Sequence, residues 1–347
     1  MRVIPMMMPE LVDEWFKNEL LRSAVSTAGI HHLSFGPFAA ATGFNLLHQH
    51  VQSHGVFHHV NFVKGGTGEL ANAVKLSAES ANIEIRTHAK VISINVENGI
   101  CSGVTLDDGE TIQADQIVSG LDPNNTFINL VGPSKLSPSF ATQLRNIKYR
   151  GSTARIHFAL NDLPEISGIS EDQMGTVFST SPSIEYLERA ADAAKYGRIA
   201  EKPYVEFTIP SLINPDFAPD GKHVLSATVQ YAPYHLRGQN WTDDLKDQYK
   251  NNVVATLENY IPGFSAQIKS SAVFSPLDLE NKFGLTEGNL NHGEMTLDQF
   301  FFMRPTISSA QYKSPIENLY LCGPGTHPGG GLHGTNGFNA AHEILKQ

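Results

Sequence analysis

Cysteine is nearly missing: Cys101 and Cys322 are the only two in 347 residues. Two thiols so far apart make no CxxC pair and no disulfide framework, which excludes a stapled secreted scaffold and fits a reducing compartment. Positive charge is also scarce. Lys and Arg number 25 against 35 Asp and Glu, so the net charge is −10 and offers no positive field for a nucleic-acid backbone. No apolar run approaches about 18 residues, so no membrane-spanning helix is expected. The opening MRVIPMMMPELVDEWF has one early arginine, no long apolar block and acidic residues soon after, unlike a secretory or transit leader. Internal repeats and low-complexity tracts are missing too. The length is enough for a sizeable core and suggests two domains.

What the chain does have is glycine, concentrated near its end in NLYLCGPGTHPGGGLHGTNGFNAA. Leu319, Tyr320, Leu321 and Cys322 read as a short buried strand. Gly323, Gly325, Gly329, Gly330, Gly331, Gly334 and Gly337 follow, and then Phe338, Ala341, Ile344 and Leu345 recur at helical spacing. Strand, glycine loop and helix together bring a ligand against bare backbone, where free amides at a helix start attract anionic oxygens. Gly329, Gly331 and Gly334 satisfy G-x-G-x-x-G. The dinucleotide fingerprint, however, needs a following strand and an acidic residue about 20 positions on. The alternative is a glycine-rich turn before a last helix. Cys322 beside this loop reads as a small core residue rather than a redox thiol.

Residues 9–26 read as one amphipathic helix, with Leu11, Trp15, Leu20 and Leu21 on one face. Seven histidines follow: His31, His32, His48, His50, His54, His58 and His59. Imidazoles at i and i+4 share a helix face, but no carboxylate or cysteine sits among them, so a cavity lining is expected and no metal site. KGGTGEL leads into a helix through Leu70 and Val74. Ile83 and Ile85 alternate with charged residues as a strand would. Strands around Val91, Val104 and Ile112, joined by Asn98-Gly99 and Asp108-Gly109, predict a small antiparallel meander. Beyond Gly151, Ile156, Phe158 and Leu160 alternate with Arg155, His157 and Ala159. Further strands are expected at 204–209 and 224–231, a surface helix at 183–196, and a helix over 241–261 marked by Leu245, Tyr249, Val253 and Leu257. Residues 277–291 read as irregular.

Three blocks carry a resemblance: VKGGTGELANAV through AKVISINVENG to QADQIVSGLDP; KPYVEFTIPSLINPDFAPDGKHVLSATVQYAPY; and MTLDQFFFMRP followed by the glycine stretch. In this order, over nearly the whole chain, they resemble the C-terminal two thirds of the phytoene desaturase-type FAD-dependent oxidoreductases. Within that group they resemble the pyridine nucleotide-disulfide oxidoreductase domain-containing protein 2 branch. The resemblance implies a mixed α/β (α+β) protein. Part of an FAD-binding, Rossmann-like domain of the glutathione reductase type would join a substrate domain with a mixed sheet and covering helices. Residues 1–60 and 151–295 would form the substrate domain, and residues 61–150 and 296–347 the FAD domain. Val91 would lie beside the adenine end of FAD. Gly323, Gly325 and Thr326, with Gly330, Gly331, Leu332 and Gly334, would approach the pyrophosphate and flavin. Hydride removal from an apolar small-molecule substrate by flavin N5 would be the chemistry. His327 and His333 either cap the loop or move protons, Arg304 is either a counter-charge or an anchor for the turn at Pro305, and no general acid or base is assigned.

The family's opening G-x-G-x-x-G unit has no counterpart before Pro9, and Gly65-Gly66-Thr67-Gly68 is no substitute. The resemblance therefore implies a truncated oxidoreductase that lacks the site for the ADP half of FAD and by itself binds FAD weakly or not at all, or a chain completed by an N-terminal partner. The alternative is a non-catalytic interaction module, such as a homodimer, using an uncovered sheet. A peripheral membrane contact, no nucleic acid, and a cytoplasmic location (mitochondrial matrix if eukaryotic) complete the expectation.

Overall fold

The structure, a computed structural model, describes residues 2–50 and 62–346. Ten strands appear among them: β1 (Val91–Glu97), β2 (Ile100–Leu106), β3 (Thr111–Gln113), β4 (Ile117–Ser119), β5 (Thr153–Leu160), β6 (Phe178–Ser179), β7 (Tyr204–Thr208), β8 (His223–Gln230), β9 (Ile268–Phe274) and β10 (Leu319–Leu321). The chain divides into two compact units, one of Met1–Ile85 with Ser152–Asp278, the other of Arg86–Gly151 with Leu279–Gln347.

The first unit is built on a five-stranded sheet of order β6-β7-β8-β5-β9, antiparallel throughout. Strict alternation on β5 sends Ala154, Ile156, Phe158 and Leu160 into a core with Val205, Phe207, Leu225, Ala227 and Val229. The helix Asp243–Glu258 closes that core with Leu245, Tyr249, Val253 and Leu257, one residue per turn of its inner stripe. Its start is fixed by Thr242, whose hydroxyl accepts the Leu245 amide at 3.2 Å. The expected helix over 9–26 is two helices, Met8–Asp13 and Glu19–Ile30. Asn18 caps the second by accepting the Leu21 amide, and Trp15 in the break is 74% exposed. The helix Thr67–Ser80 forms where expected yet buries no residue, and Ile83 and Ile85 lie in irregular chain because no strand pairs with them.

In the second unit, β1, β2 and β3 make the expected meander. Asn98 (φ 51°) and Gly99 (φ 81°) take the left-handed backbone its first turn requires. β4 leaves the meander and pairs in parallel with β10, aligning Ile117 with Leu319 and Ser119 with Leu321. Ile94, Val96, Cys101, Phe127, Phe140, Leu144, Leu319 and Leu321 form its core. Residues 276–283, read as irregular, are a helix. Among the described helices none is long and apolar enough to cross a membrane.

Candidate functional site

The glycine loop leaves β10 and enters the helix Thr335–Ile344. Polar side chains hold it from three sides. Asn336, buried in the first turn of that helix, donates to Thr326 O at 3.0 Å and Thr326 Oγ1 at 3.1 Å, while Thr326 itself donates to Gly323 O. Tyr312 donates its hydroxyl to His327 O at 2.7 Å and accepts from Asn339 Nδ2. Arg304 Nε and Nη2 donate to Pro324 O at 3.2 and 2.9 Å.

Arg304 is 2% exposed and has no carboxylate partner among the described residues. Its remaining donors reach the carbonyls of Asn291, Gly293, Glu294 and Gln299. Carbonyl dipoles thus solvate the charge where water cannot. Burial pulls the guanidinium down to about 10, which leaves it protonated at neutral pH. Arg304 acts as an anchor, tying the 291–299 segment to the glycine loop.

The loop glycines divide into two groups. A Cβ on Gly323 would strike the Gly120 carbonyl, one on Gly325 the Pro123 ring, one on Gly329 the Met295 side chain and one on Gly330 the Asn291 side chain. Those glycines serve close packing. Gly331, Leu332, Gly334 and Gly337 are exposed, and a Cβ on Gly334 or Gly337 would meet nothing within 4 Å. Gly331 (φ 131°) and Gly334 (φ 66°) take backbone conformations that favour glycine and turn the chain into the helix start. His333 accepts the Thr335 amide at its Nδ1 (3.1 Å), so it caps the turn.

Two buried imidazole nitrogens, His292 Nδ1 and His327 Nδ1, have no hydrogen-bond partner. His292 lies against Gly323 and Gly325. Burial lowers the pKa of both rings; Arg304 lowers both further, and Asp122 partly offsets the effect at His292, so both are neutral near pH 7. Burial pushes the Cys322 thiol up, which removes it as a thiolate nucleophile at neutral pH.

The structure therefore gathers Gly323, Gly325, Thr326, Gly330, Gly331, Leu332 and Gly334 in one loop, with its open backbone at 331–337. Val91 is half-buried at the start of β1 opposite Leu106, and no hydrogen bond or strand pairing joins it to the loop among the described residues. Asn336, Tyr312, Asn291 and His292 were not legible as site residues, since only the fold brings them to the glycines. Among the described residues no three His, Cys, Asp or Glu converge as metal ligands. His54, His58 and His59 lie outside the described residues.

A parallel strand pair feeds the glycine turn and the helix after it, a layout that leaves backbone amides open to an anionic ligand. Residues 22–345 match the flavin containing amine oxidoreductase family, and the chain belongs to that family. Membership implies FAD as cofactor. The exposed glycine backbone at 331–337 and the two orphaned imidazole nitrogens beside the loop fit such a group. The chain is 33% identical over 97% of its length to pyridine nucleotide-disulfide oxidoreductase domain-containing protein 2 of Rattus norvegicus, and 28% identical over 94% to a lycopene-forming phytoene desaturase of a Paracoccus strain. It spans 60% and 62% of those relatives. A crystal structure of an oxidoreductase from Methanosarcina mazei aligns with 98% of the chain and 68% of its own at a TM-score of 0.61 and 14% identity. A redesigned putrescine oxidase aligns with 100% of the chain and 69% of its own at 0.56 and 12% identity. At such identities these two speak for the fold alone.

Proposed function

We propose that this protein is an FAD-dependent oxidoreductase that removes hydride from a carbon of a small molecule with an apolar body. The observation that carries the reading is the exposed glycine backbone at 331–337, opening the helix Thr335–Ile344 in a chain of a flavin-containing family. Bound flavin supplies the hydride acceptor. The chain's own residues hold and orient it. Amides at the helix start beyond Thr335, whose own amide is held by His333, would hold an anionic part of the cofactor. Asn336, Tyr312 and Arg304 keep the loop in one conformation, which lowers the ordering cost of binding. His292 and His327, neutral and short of a partner, offer hydrogen bonds without adding charge.

With bounds moved from 61 to 86 and from 296 to 279, the unit with the glycine loop binds cofactor and the unit with the five-stranded sheet binds substrate. Two relatives' names support an oxidoreductase, one being a phytoene desaturase and another a limonene dehydrogenase subunit. Both cysteines are free, which supports a reducing compartment, the cytoplasm or the mitochondrial matrix. The test is titration of the purified chain with FAD, followed by quenching of flavin fluorescence and by the shape of the visible absorbance bands. A saturable change supports the reading; unaltered free-flavin spectra throughout sink it.

A second reading, an interaction module, is favoured by one feature. Phe301, Phe302 and Ile307, exposed by 48%, 68% and 72%, line a cavity of about 760 Å³ in the second unit. Solution mass discriminates: a monomer at working concentration counts against self-association there.

A further inference from the structure

The sheet of the first unit has two unlike faces. One is the apolar core. The other is polar in three register rows of its central strands, the fourth being Ala159 opposite Val224. One row runs across all five strands as Ser179, Glu206, Thr228, Arg155 and Phe274. The next holds Thr208, Ser226, His157 and Ala272. A third holds Tyr204, Gln230 and Thr153.

The end of the helix Glu19–Ile30 and the residues after it cover the third row. Gln230 donates to Ile30 O and Leu33 O, and His32 meets Gln230 and Thr153. Glu206 is satisfied from the same side, taking the Tyr204 hydroxyl at 2.8 Å and lying 3.4 Å from His31 Nε2. Burial works to raise its carboxyl, but the His31 and Tyr204 hydrogen bonds overcome it and bring it to about 2. Glu206 is thus ionised with both oxygens engaged.

Arg155 and His157 are not used up in this way. Both are half-buried on β5, side by side on the polar face with Cα atoms about 6.6 Å apart. Of the five N–H groups on Arg155, one reaches Thr228 Oγ1, and no carboxylate pairs with it among the described residues. The His157 ring nitrogens have no described hydrogen-bond partner, and the ring packs edge-on to Phe274, centroids 6.0 Å apart. Glu206, beyond Thr228 in the same row, lends the guanidinium a favourable field, but its two oxygens are taken by Tyr204 and His31 and it makes no ion pair with Arg155. A half-buried guanidinium with free donors costs desolvation and returns little to stability. Its planar fork matches a carboxylate, with an imidazole N–H one pleat along and an aromatic edge beside it.

We propose that Arg155 and His157 form a receptor for a carboxylate carried by the substrate, with the apolar body lying past Phe274. The inference rests on the reading of this unit as the substrate-binding part. The substrate is accordingly an amphipathic acid: Arg155 takes two carboxylate oxygens from its fork, and His157 donates a third hydrogen bond.

Isothermal titration calorimetry on the full chain tests this with three probes of one chain length: octanoate, octan-1-ol and octylamine. Octanoate should bind at least about tenfold more tightly than the other two. Arg155→Met should abolish that preference, Arg155→Lys should keep part of it, and His157→Gln should weaken octanoate severalfold. No measurable octanoate binding, equal binding of acid and alcohol, or a preference that survives Arg155→Met overturns the proposal. If Arg155→Met fails to fold by circular dichroism, Arg155→Lys decides, and an unchanged preference there overturns it. FAD titration of the same samples separates the two readings. Acid preference without flavin binding sinks the oxidoreductase alone, and flavin binding without acid preference sinks this inference alone.

Discussion

Replacing Arg304 by methionine removes the guanidinium's hydrogen bonds to five backbone carbonyls while keeping an unbranched apolar side chain in the space. Glu294 O keeps a second donor, Gln299 Nε2 at 3.0 Å. For the carbonyls of Asn291, Gly293, Gln299 and Pro324, the guanidinium is the donor the structure shows. A buried acceptor left without a partner costs about 1–3 kcal/mol. Removing the charge also removes its desolvation cost, which trims the total. The expected net loss is about 3–5 kcal/mol, the range for breaking a buried charged cluster from one side. Lysine has three donors on one atom, so Arg304→Lys should fall between wild type and methionine. The loss should be local, concentrated where the acceptors sit. Hydrogen exchange followed by mass spectrometry reads it: peptides covering 289–304 and 319–330 should exchange faster by about two to three orders of magnitude in Arg304→Met. Unchanged exchange in both peptides would show that the carbonyl cage does not hold the loop and would refute the reasoning.

Three further outcomes follow from the geometry. Gly331→Leu places a branched side chain at φ 131° with its Cβ against the His333 ring, so FAD quenching should weaken about tenfold or more while far-UV circular dichroism stays unchanged; equal FAD affinity would remove this loop from the cofactor site. Glu206 has its carboxyl held down to about 2, so its contribution is present above the ordinary value of about 4.3 and is lost as pH falls from there toward 2. Glu206→Gln should therefore cost on the order of 3 kcal/mol by urea denaturation at pH 7, with the gap closing below about pH 4; a pH-independent gap would contradict the assignment. Thr242→Ala removes the cap of the helix Asp243–Glu258 and should cost about 1 kcal/mol, read as a lower urea midpoint.

The sequence by itself determined the parts whose causes are local. Asn98-Gly99 set the first turn of the meander because few residue pairs accept two positive φ angles in succession. The stripe Leu245, Tyr249, Val253 and Leu257 and the cap Thr242 set the longest helix. The density of glycine after Leu321 marked the loop, because such a run has few uses other than close approach. Tertiary structure alone decided which glycines pack against Gly120, Pro123, Met295 and Asn291 and which stay open, since each contact joins residues far apart in the chain. It also broke the first amphipathic stretch at Trp15 and left Ile83 and Ile85 without a partner strand. The alternation of Arg155 and His157 with Ile156 and Phe158 was visible as a pattern. Its meaning was not, because a charged row exists only once β5, β7, β8 and β9, drawn from more than a hundred residues of chain, take their register. Arg304 is the plainest case. Nothing beside it in sequence marks it as buried, and its charge is tolerable only because five carbonyls from elsewhere in the fold point at it.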